Sequence, residues 1–471
     1  MHISESVDRP GSLVVRPRMN FRPKSTLIVA GLLMVCLHAA LLFLVIPHFK
    51  GGSAAPVNLQ GSPDEYDQLA INLVSGHGYR FYPDTARTAM REPGYPLFLA
   101  GIFELFGTGY AAGRVCNLLL AFGTAGMMAP LARRLIPAGA SRFPYVYWLP
   151  SLLYLVHPGT IVAESRAGVE IPFAFLLVCL MWLICRAVEL RNTWYYATAG
   201  LVLGVTVLMR STPILFPLFL LGYLLIRNSA ASRARTLVIQ VAVMMLTCFA
   251  VLSPWIARNF ALTGQFIPTA DVLGVSAQAG QYINEHLFDG KPFWLLDREA
   301  ARERDSIALR AGYKFEDGAQ GYYQTFYKTS DELAFSHELA HMVTRKYEGH
   351  PWLFVRTVGQ NLFNFWFAGK VWATTAINAV IQIPYLLFAV VGFRYARRGE
   401  GSHVAGILAL FIAYMMAVHA PVLAQARYSV PLIPLLSLLS GVGVLTACVQ
   451  VRSARTMHSA EPAAPATAMH S

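Results

Sequence analysis

The chain has 471 residues, of which 55% are hydrophobic and only 14% charged, with a mean hydropathy of +0.46. Soluble domains carry about a quarter charged residues to meet water, so this composition excludes an ordinary soluble enzyme and points to lipid as solvent. The net charge of +12 is scattered between apolar segments, not gathered on one polar face; that argues against nucleic-acid binding and leaves positive-inside loops and phosphate-bearing ligands as its two causes.

In chain order, a basic tail (residues 1–25, with Arg9, Arg16, Arg18, Arg22 and Lys24) precedes an uncleaved first span, Thr26 to Ile46. A polar stretch, residues 48–94, follows. Apolar segments then recur at Val115–Ala132, Phe143–Val156, Val169–Cys185, Trp194–Met209, Pro213–Ile226 and Thr236–Ile256. This transmembrane region (26–256) gives way to a second polar region, 257–370, read as a helical domain resting on the membrane. Its end, Pro351 to Ala368, reads as an interfacial aromatic helix. Spans Val371–Phe393, His403–Val418 and Tyr428–Cys448 fill 371–450, and an Ala- and Pro-rich tail, 451–471, reads as disordered. Several spans are shorter than the ~20 residues of a straight crossing, so tilted or broken helices are expected. The six cysteines (Cys36, Cys116, Cys179, Cys185, Cys248, Cys448) all lie in apolar stretches and read as buried small side chains.

Basic residues set the orientation. Arg133, Arg134 and Arg142 follow the second span, Arg186 and Arg191 the fourth, and Arg233 and Arg235 the sixth. Arg394, Arg397 and Arg398 follow the eighth, Arg452 and Arg455 the tenth. Every even-numbered exit is basic, which predicts both termini in the cytoplasm and both long polar regions outside. The chain reads as a multi-pass protein of the bacterial inner membrane, with those regions in the periplasm.

The first outer region holds Asp64-Glu65-Tyr66-Asp67, Gly76-His77-Gly78-Tyr79 and Arg91-Glu92-Pro93-Gly94-Tyr95-Pro96. Acids just beyond a span are costly to desolvate and often functional, and a solvated loop is the equal alternative. Further on stand Arg114, Pro158 with Glu170, Leu208-Met209-Arg210, Ser253-Pro254-Trp255-Ile256-Ala257-Arg258-Asn259 and Arg427-Tyr428-x-x-Pro431-x-x-Pro434. In order and spacing these pieces resemble the GT-C superfamily of polytopic glycosyltransferases, in particular bacterial relatives of protein O-mannosyltransferases and lipid A aminoarabinose transferases. Two departures stand out: Glu92 replaces the usual first proline of an Arg-Pro-Pro-Gly-Tyr-Pro run, and the acid precedes the tyrosine by two residues where three is common.

The resemblance implies an all-α, GT-C-like bundle of about ten to thirteen transmembrane helices with periplasmic loop elements. It implies transfer of a sugar, with inversion, from a polyprenyl phosphate carrier to a lipid, glycan or protein acceptor. Topology agrees, because an outward-facing transferase has no nucleotide sugar to use. Such a reaction needs a general base for the acceptor hydroxyl and cations for the departing phosphate. Asp64 is the candidate base, with Glu65 in reserve. Arg91, Arg210, Arg258 and Arg427 all map to outer helix ends and can pair with phosphate, snorkelling being the even alternative for each one. Tyr66, Tyr95, Glu170 and Tyr428 complete the expected substrate site. No DxD-type metal motif stands in the sequence, so no cofactor is assigned and the question of a divalent metal stays open.

Two readings compete. A transporter or flippase of lipid-linked substrates predicts midplane charges and repeat symmetry, and neither is visible. His337-Glu338-Leu339-Ala340-His341 matches the H-E-x-x-H zinc-protease signature. A catalytic zinc needs a third protein ligand, and none stands at a fitting spacing.

Overall fold

A computed structural model describes residues 23–46, 64–136, 145–166, 168–227, 231–317 and 323–458. The fold is a helical bundle that fits the expected all-α architecture. Helix α1 (Pro23–Ala40) continues as a π-turn, and α2 (Tyr66–Val74), α3 (Gly94–Phe106) and α4 (Tyr110–Leu135) follow. Next come α5 (Leu149–Leu155), α6 (Pro158–Glu164), α7 (Glu170–Leu190), α8 (Thr193–Met209), α9 (Phe216–Arg227) and α10 (Ala231–Thr263). The second polar region forms α11 (Leu273–His286), α12 (Phe293–Arg310), a two-stranded antiparallel hairpin, α13 (Thr329–Gly349) and α14 (Pro351–Phe367). Helices α15 (Trp372–Ala396), α16 (Ser402–His419) and α17 (Ile433–His458) close the chain.

Among the described residues seven helices are long and apolar enough to cross a membrane, and a bent pair, Val146–Leu155 with Pro158–Glu164, makes an eighth. The 58° bend falls at Pro158, whose ring cannot continue α5 but suits the first turn of α6. Helices Thr193–Met209 and Thr212–Arg227 are apolar but shorter, as is Gly94–Phe106, which lies just beyond the stretch read as a polar loop. At the other end of the chain, α17 carries helix through His458, past the expected start of the disordered tail. The expected basic tail (1–22 of it), residues 47–63 of the first outer loop and the last residues, 459–471, lie outside the described residues.

Lipid offers no hydrophobic drive between helices, so close packing holds them. Helices α15 and α17 meet at Gly392 and Gly443, where a Cβ would come within 1.9 Å of Leu439 or Phe388 carbonyl oxygens. Any side chain there would force the pair apart. At one end of the bundle Glu189 takes a 2.7 Å bond from Arg134, a 3.1 Å contact from His403 and a 3.4 Å bond from Arg186. Helix α10, at 33 residues, runs about 50 Å, well beyond a ~30 Å hydrocarbon core. Its protruding end grips the polar region: Trp255 donates to the Thr269 carbonyl (2.6 Å), and Asn259 to those of Ile267 and Thr269.

Candidate functional site

The site lies at the bundle end opposite Glu189, where the loop before α2, the loop before α3 and the turn before α17 meet. Glu65 adopts a left-handed backbone (φ 56°, ψ 30°), a conformation uncommon for a side chain with a Cβ and often found at functional sites. The twist buries Glu65 at 1% exposure and turns the Asp64 carboxylate the other way, towards Arg427. Arg427 grips it with two guanidinium bonds, 3.0 Å to Oδ2 and 3.2 Å to Oδ1, the fork geometry of a strong charge-assisted pair. Both side chains keep about a fifth of their surface open, 18% for Asp64 and 21% for Arg427.

Arg91 donates from Nε to the Asp64 carbonyl (3.2 Å) and lies 4.0 Å over the Tyr323 ring, whose hydroxyl reaches Asp64 Oδ1 at 3.4 Å. Arg210 lies 4.3 Å over the Tyr428 ring. Local chemistry brings these arginines together: a Cβ on Gly94 would sit 2.7 Å from the Leu208–Met209 backbone, so only glycine lets the Arg91 segment touch the end of α8. The departing residue, Glu92, is buried and accepts from the Ser211 amide (3.1 Å), clamping the same junction. It braces Arg210 and offers no carboxylate to a substrate.

Burial alone would raise the Asp64 carboxyl, but Arg427, then Arg91 and Arg210, outweigh it and hold the group below its usual pKa. Asp64 is therefore an anion among guanidiniums. Arg166 and Lys370 extend the cluster: burial leads the lowering of both, Arg427 adds to each, and Glu170 and Asp297 respectively oppose it. Both side chains are exposed, as groups at the mouth of a cleft are. Asp297 is pushed up by burial against the pull of Arg304, Arg427 and Lys370.

Asp64, Arg91, Arg210, Arg427 and Tyr428 thus come together, with Glu170 close enough to act on Arg427. Tyr66 and Tyr95 are buried and pack edge to face at 5.4 Å, supporting the site from beneath. Arg258 stands apart from Asp64: its guanidinium donates to the Thr88 carbonyl (2.8 Å), stacks over Trp255 (4.6 Å) and Tyr79 (5.4 Å) and braces the 85–92 loop, while its Nη2 is buried with no hydrogen-bond partner among the described residues. Tyr323, Asp297, Lys370 and Arg166 were not read from the sequence. Lys370, just before a span on the outer side where positive-inside logic asks for no cation, carried the one usable signal.

Among the described residues no group of three His, Cys, Asp or Glu gathers that could hold a metal ion. Both Asp64 oxygens face Arg427, so the cluster as arranged does not fit a divalent ion. His337, Glu338 and His341 lie exposed on α13. A His337→Ala, His341→Ala double variant is expected to keep wild-type activity with unchanged zinc content by elemental analysis. Stoichiometric zinc lost together with activity would contradict this.

Residues 90–257 match the family model described as dolichyl-phosphate-mannose-protein mannosyltransferase. No curated protein sequence matches the chain. Among solved structures, the archaeal oligosaccharyltransferase AglB from Archaeoglobus fulgidus, in complex with an inhibitory peptide and a dolichol-phosphate, matches at TM-score 0.53 and 13% identity, over 94% of this chain and 53% of that one. Its apo form matches at TM-score 0.53 and 14% identity, over 92% and 52%. ArnT from Cupriavidus metallidurans bound to undecaprenyl phosphate aligns at TM-score 0.41 and 14% identity, over 93% and 81%. The chain spans about half the length of the oligosaccharyltransferase it matches. Residues 90–257 thus resemble a family of polytopic membrane mannosyltransferases, and the likeness to the archaeal oligosaccharyltransferase is one of fold.

Proposed function

We propose that the chain transfers a sugar from a polyprenyl-phosphate-linked donor to a lipid, glycan or protein acceptor at the outer face of a bacterial inner membrane, with inversion. The observation that carries this reading is the Asp64 carboxylate held by Arg427 beside Arg91 and Arg210 at one end of the bundle. The dolichol-phosphate named with the archaeal relative supports a lipid-phosphate donor.

The chemistry is a single displacement. The acceptor hydroxyl attacks the anomeric carbon, the bond from that carbon to the phosphate oxygen breaks, and Asp64 takes the hydroxyl proton. Phosphate is a good leaving group, so no second carboxyl acts as general acid, in contrast to glycoside hydrolysis. A carboxylate locked to Arg427 is a weak base. When donor phosphate draws Arg427 away, Asp64 keeps its burial and loses its strongest counter-charge, and its proton affinity rises. Guanidinium groups then stabilise the charge that grows on the phosphate. Asp64 is the better base than Glu65 because it faces the cleft and Glu65 is enclosed.

The test is a deletion strain: mass spectrometry of its lipids and envelope glycans is expected to show one species short of a single sugar, restored by the wild-type gene. An unchanged profile, with no transfer by the reconstituted protein from polyprenyl phosphate sugars, would favour a transporter. Sidedness has its own check. In a cysteine-free background, cysteines replacing Asp84 and Ser306 should react with an impermeant maleimide added to whole cells with permeabilised outer membranes, and one replacing Arg397 should not. The reverse pattern would sink the outward-facing site.

A further inference from the structure

Helix α1 is the least enclosed of the spans, with only 11% of its window buried. Within its apolar window, Ile28–Val45, stands His38, 1% exposed, whose Nδ1 lies 2.8 Å from Oε2 of the fully buried Glu164. Ionisable groups inside a bundle are expensive and are kept for a purpose. Glu164 is the last residue of α6, and the chain then turns through Arg166 towards Glu170. The same turn is held from a second side. Asn117 of α4, 2% exposed, donates its side-chain amide to the backbone carbonyls of Glu164 (3.3 Å) and Arg166 (2.9 Å). Nothing in the chemistry above uses His38, Glu164 or Asn117.

We propose that His38 and Asn117 are positioning residues: they pin the end of α6, which packs against the Val430–Leu432 turn just after Arg427, and so hold Arg166 at the mouth of the site. The first span thereby contributes to the site through Glu164 as well as through the loop that leads to Asp64. These bonds add fixed polar anchors to the packing of Ser165 and Val169, and through them Arg166 gains a defined place from which to meet a phosphate. The role assigned to Arg166 rests on the glycosyltransferase reading; the tether itself does not.

The test has two arms, run on the full chain in lipid nanodiscs. The first follows amide exchange of residues 165–169 in the wild type, His38→Leu, His38→Asn and Asn117→Leu. Leucine removes each bond, whereas asparagine keeps an amide donor where Nδ1 meets Glu164. Exchange is expected to quicken about tenfold or more in both leucine variants and to stay near wild type in His38→Asn. Unchanged exchange in whichever leucine variant folds would overturn the proposal. The second arm measures undecaprenyl phosphate binding by tryptophan fluorescence. His38→Leu and Arg166→Ala are each expected to weaken it about tenfold, and the double variant no more than Arg166→Ala alone, since both act through one group. Additive losses would show that His38 acts on overall stability and would overturn the proposal. A wild type that neither binds this lipid nor transfers sugar would sink the functional reading, while the exchange arm still decides the tether.

Discussion

Asp64→Asn is expected to abolish sugar transfer while the protein still inserts and folds. The substitution keeps the side chain's shape but removes the carboxylate held by Arg427, Arg91 and Arg210. Asparagine accepts no proton, and loss of a general base costs ~10²–10⁴ in rate. Initial rates on purified, reconstituted protein, beside a Tm measurement, check this. The expected result is a loss of turnover far larger than any fall in folded fraction. Near-normal turnover, with Glu65→Gln inactive, would move the base to Glu65. In the wild type the acid limb of the kcat/KM profile, which reports the free enzyme, should lie below the ordinary carboxylate range, because the cations outweigh burial. The same inequality gives the sign for stability: with the folded pKa depressed, the Asp64–Arg427 pair stabilises at neutral pH and is lost as pH falls through the folded value.

Arg427→Ala is expected to act twice. It removes a bidentate donor to phosphate, worth roughly 1.5–3 kcal/mol per charge-assisted bond, so apparent donor affinity should drop ten- to hundredfold. It also removes the largest favourable interaction on Asp64, leaving burial less opposed, so the acid limb should move up in pH. Steady-state kinetics against pH with varied donor separates the two effects. Unchanged donor KM together with an unmoved acid limb would assign Arg427 to membrane anchoring. Arg258→Ala should differ from it, lowering Tm through the freed 85–92 loop with a smaller effect on donor affinity, because its guanidinium braces Thr88 and Trp255 and has no bond to Asp64.

The long spans were legible because lipid demands runs of apolar residues, and such runs survive in a bare sequence as a simple pattern. Helix Gly94–Phe106 was missed for the same reason: at 13 residues it is apolar but too short to look like a crossing. Arg427 stood out as a cation at the edge of an apolar run, and Asp64 as part of an acid cluster in the first polar stretch. Tyr323, Asp297 and Arg166 did not. Tyr323 and Asp297 sit in a polar region and Arg166 in a short gap between spans, where such residues are ordinary, and only the fold carries them to the cluster. The direction in which Arg258 points was not legible either, because a cation at a helix end looks alike whether it faces a ligand or a tryptophan. The side of the helix decides, and a single proline-containing helix end does not fix that.

Asp64 and Arg427 stand 363 positions apart. At ~5–20 residues per second of synthesis, roughly 20–70 s pass between making the acid and making its counter-ion. During that interval the Asp64 carboxylate lacks its strongest partner. The ribosome has by then delivered nearly every other span, so the pair closes as one of the last events of assembly. A chain cut short before Arg427 would lack both that counter-ion and α17, which belongs to the most enclosed of the candidate spans, at 78% of its window, so site and bundle are completed together.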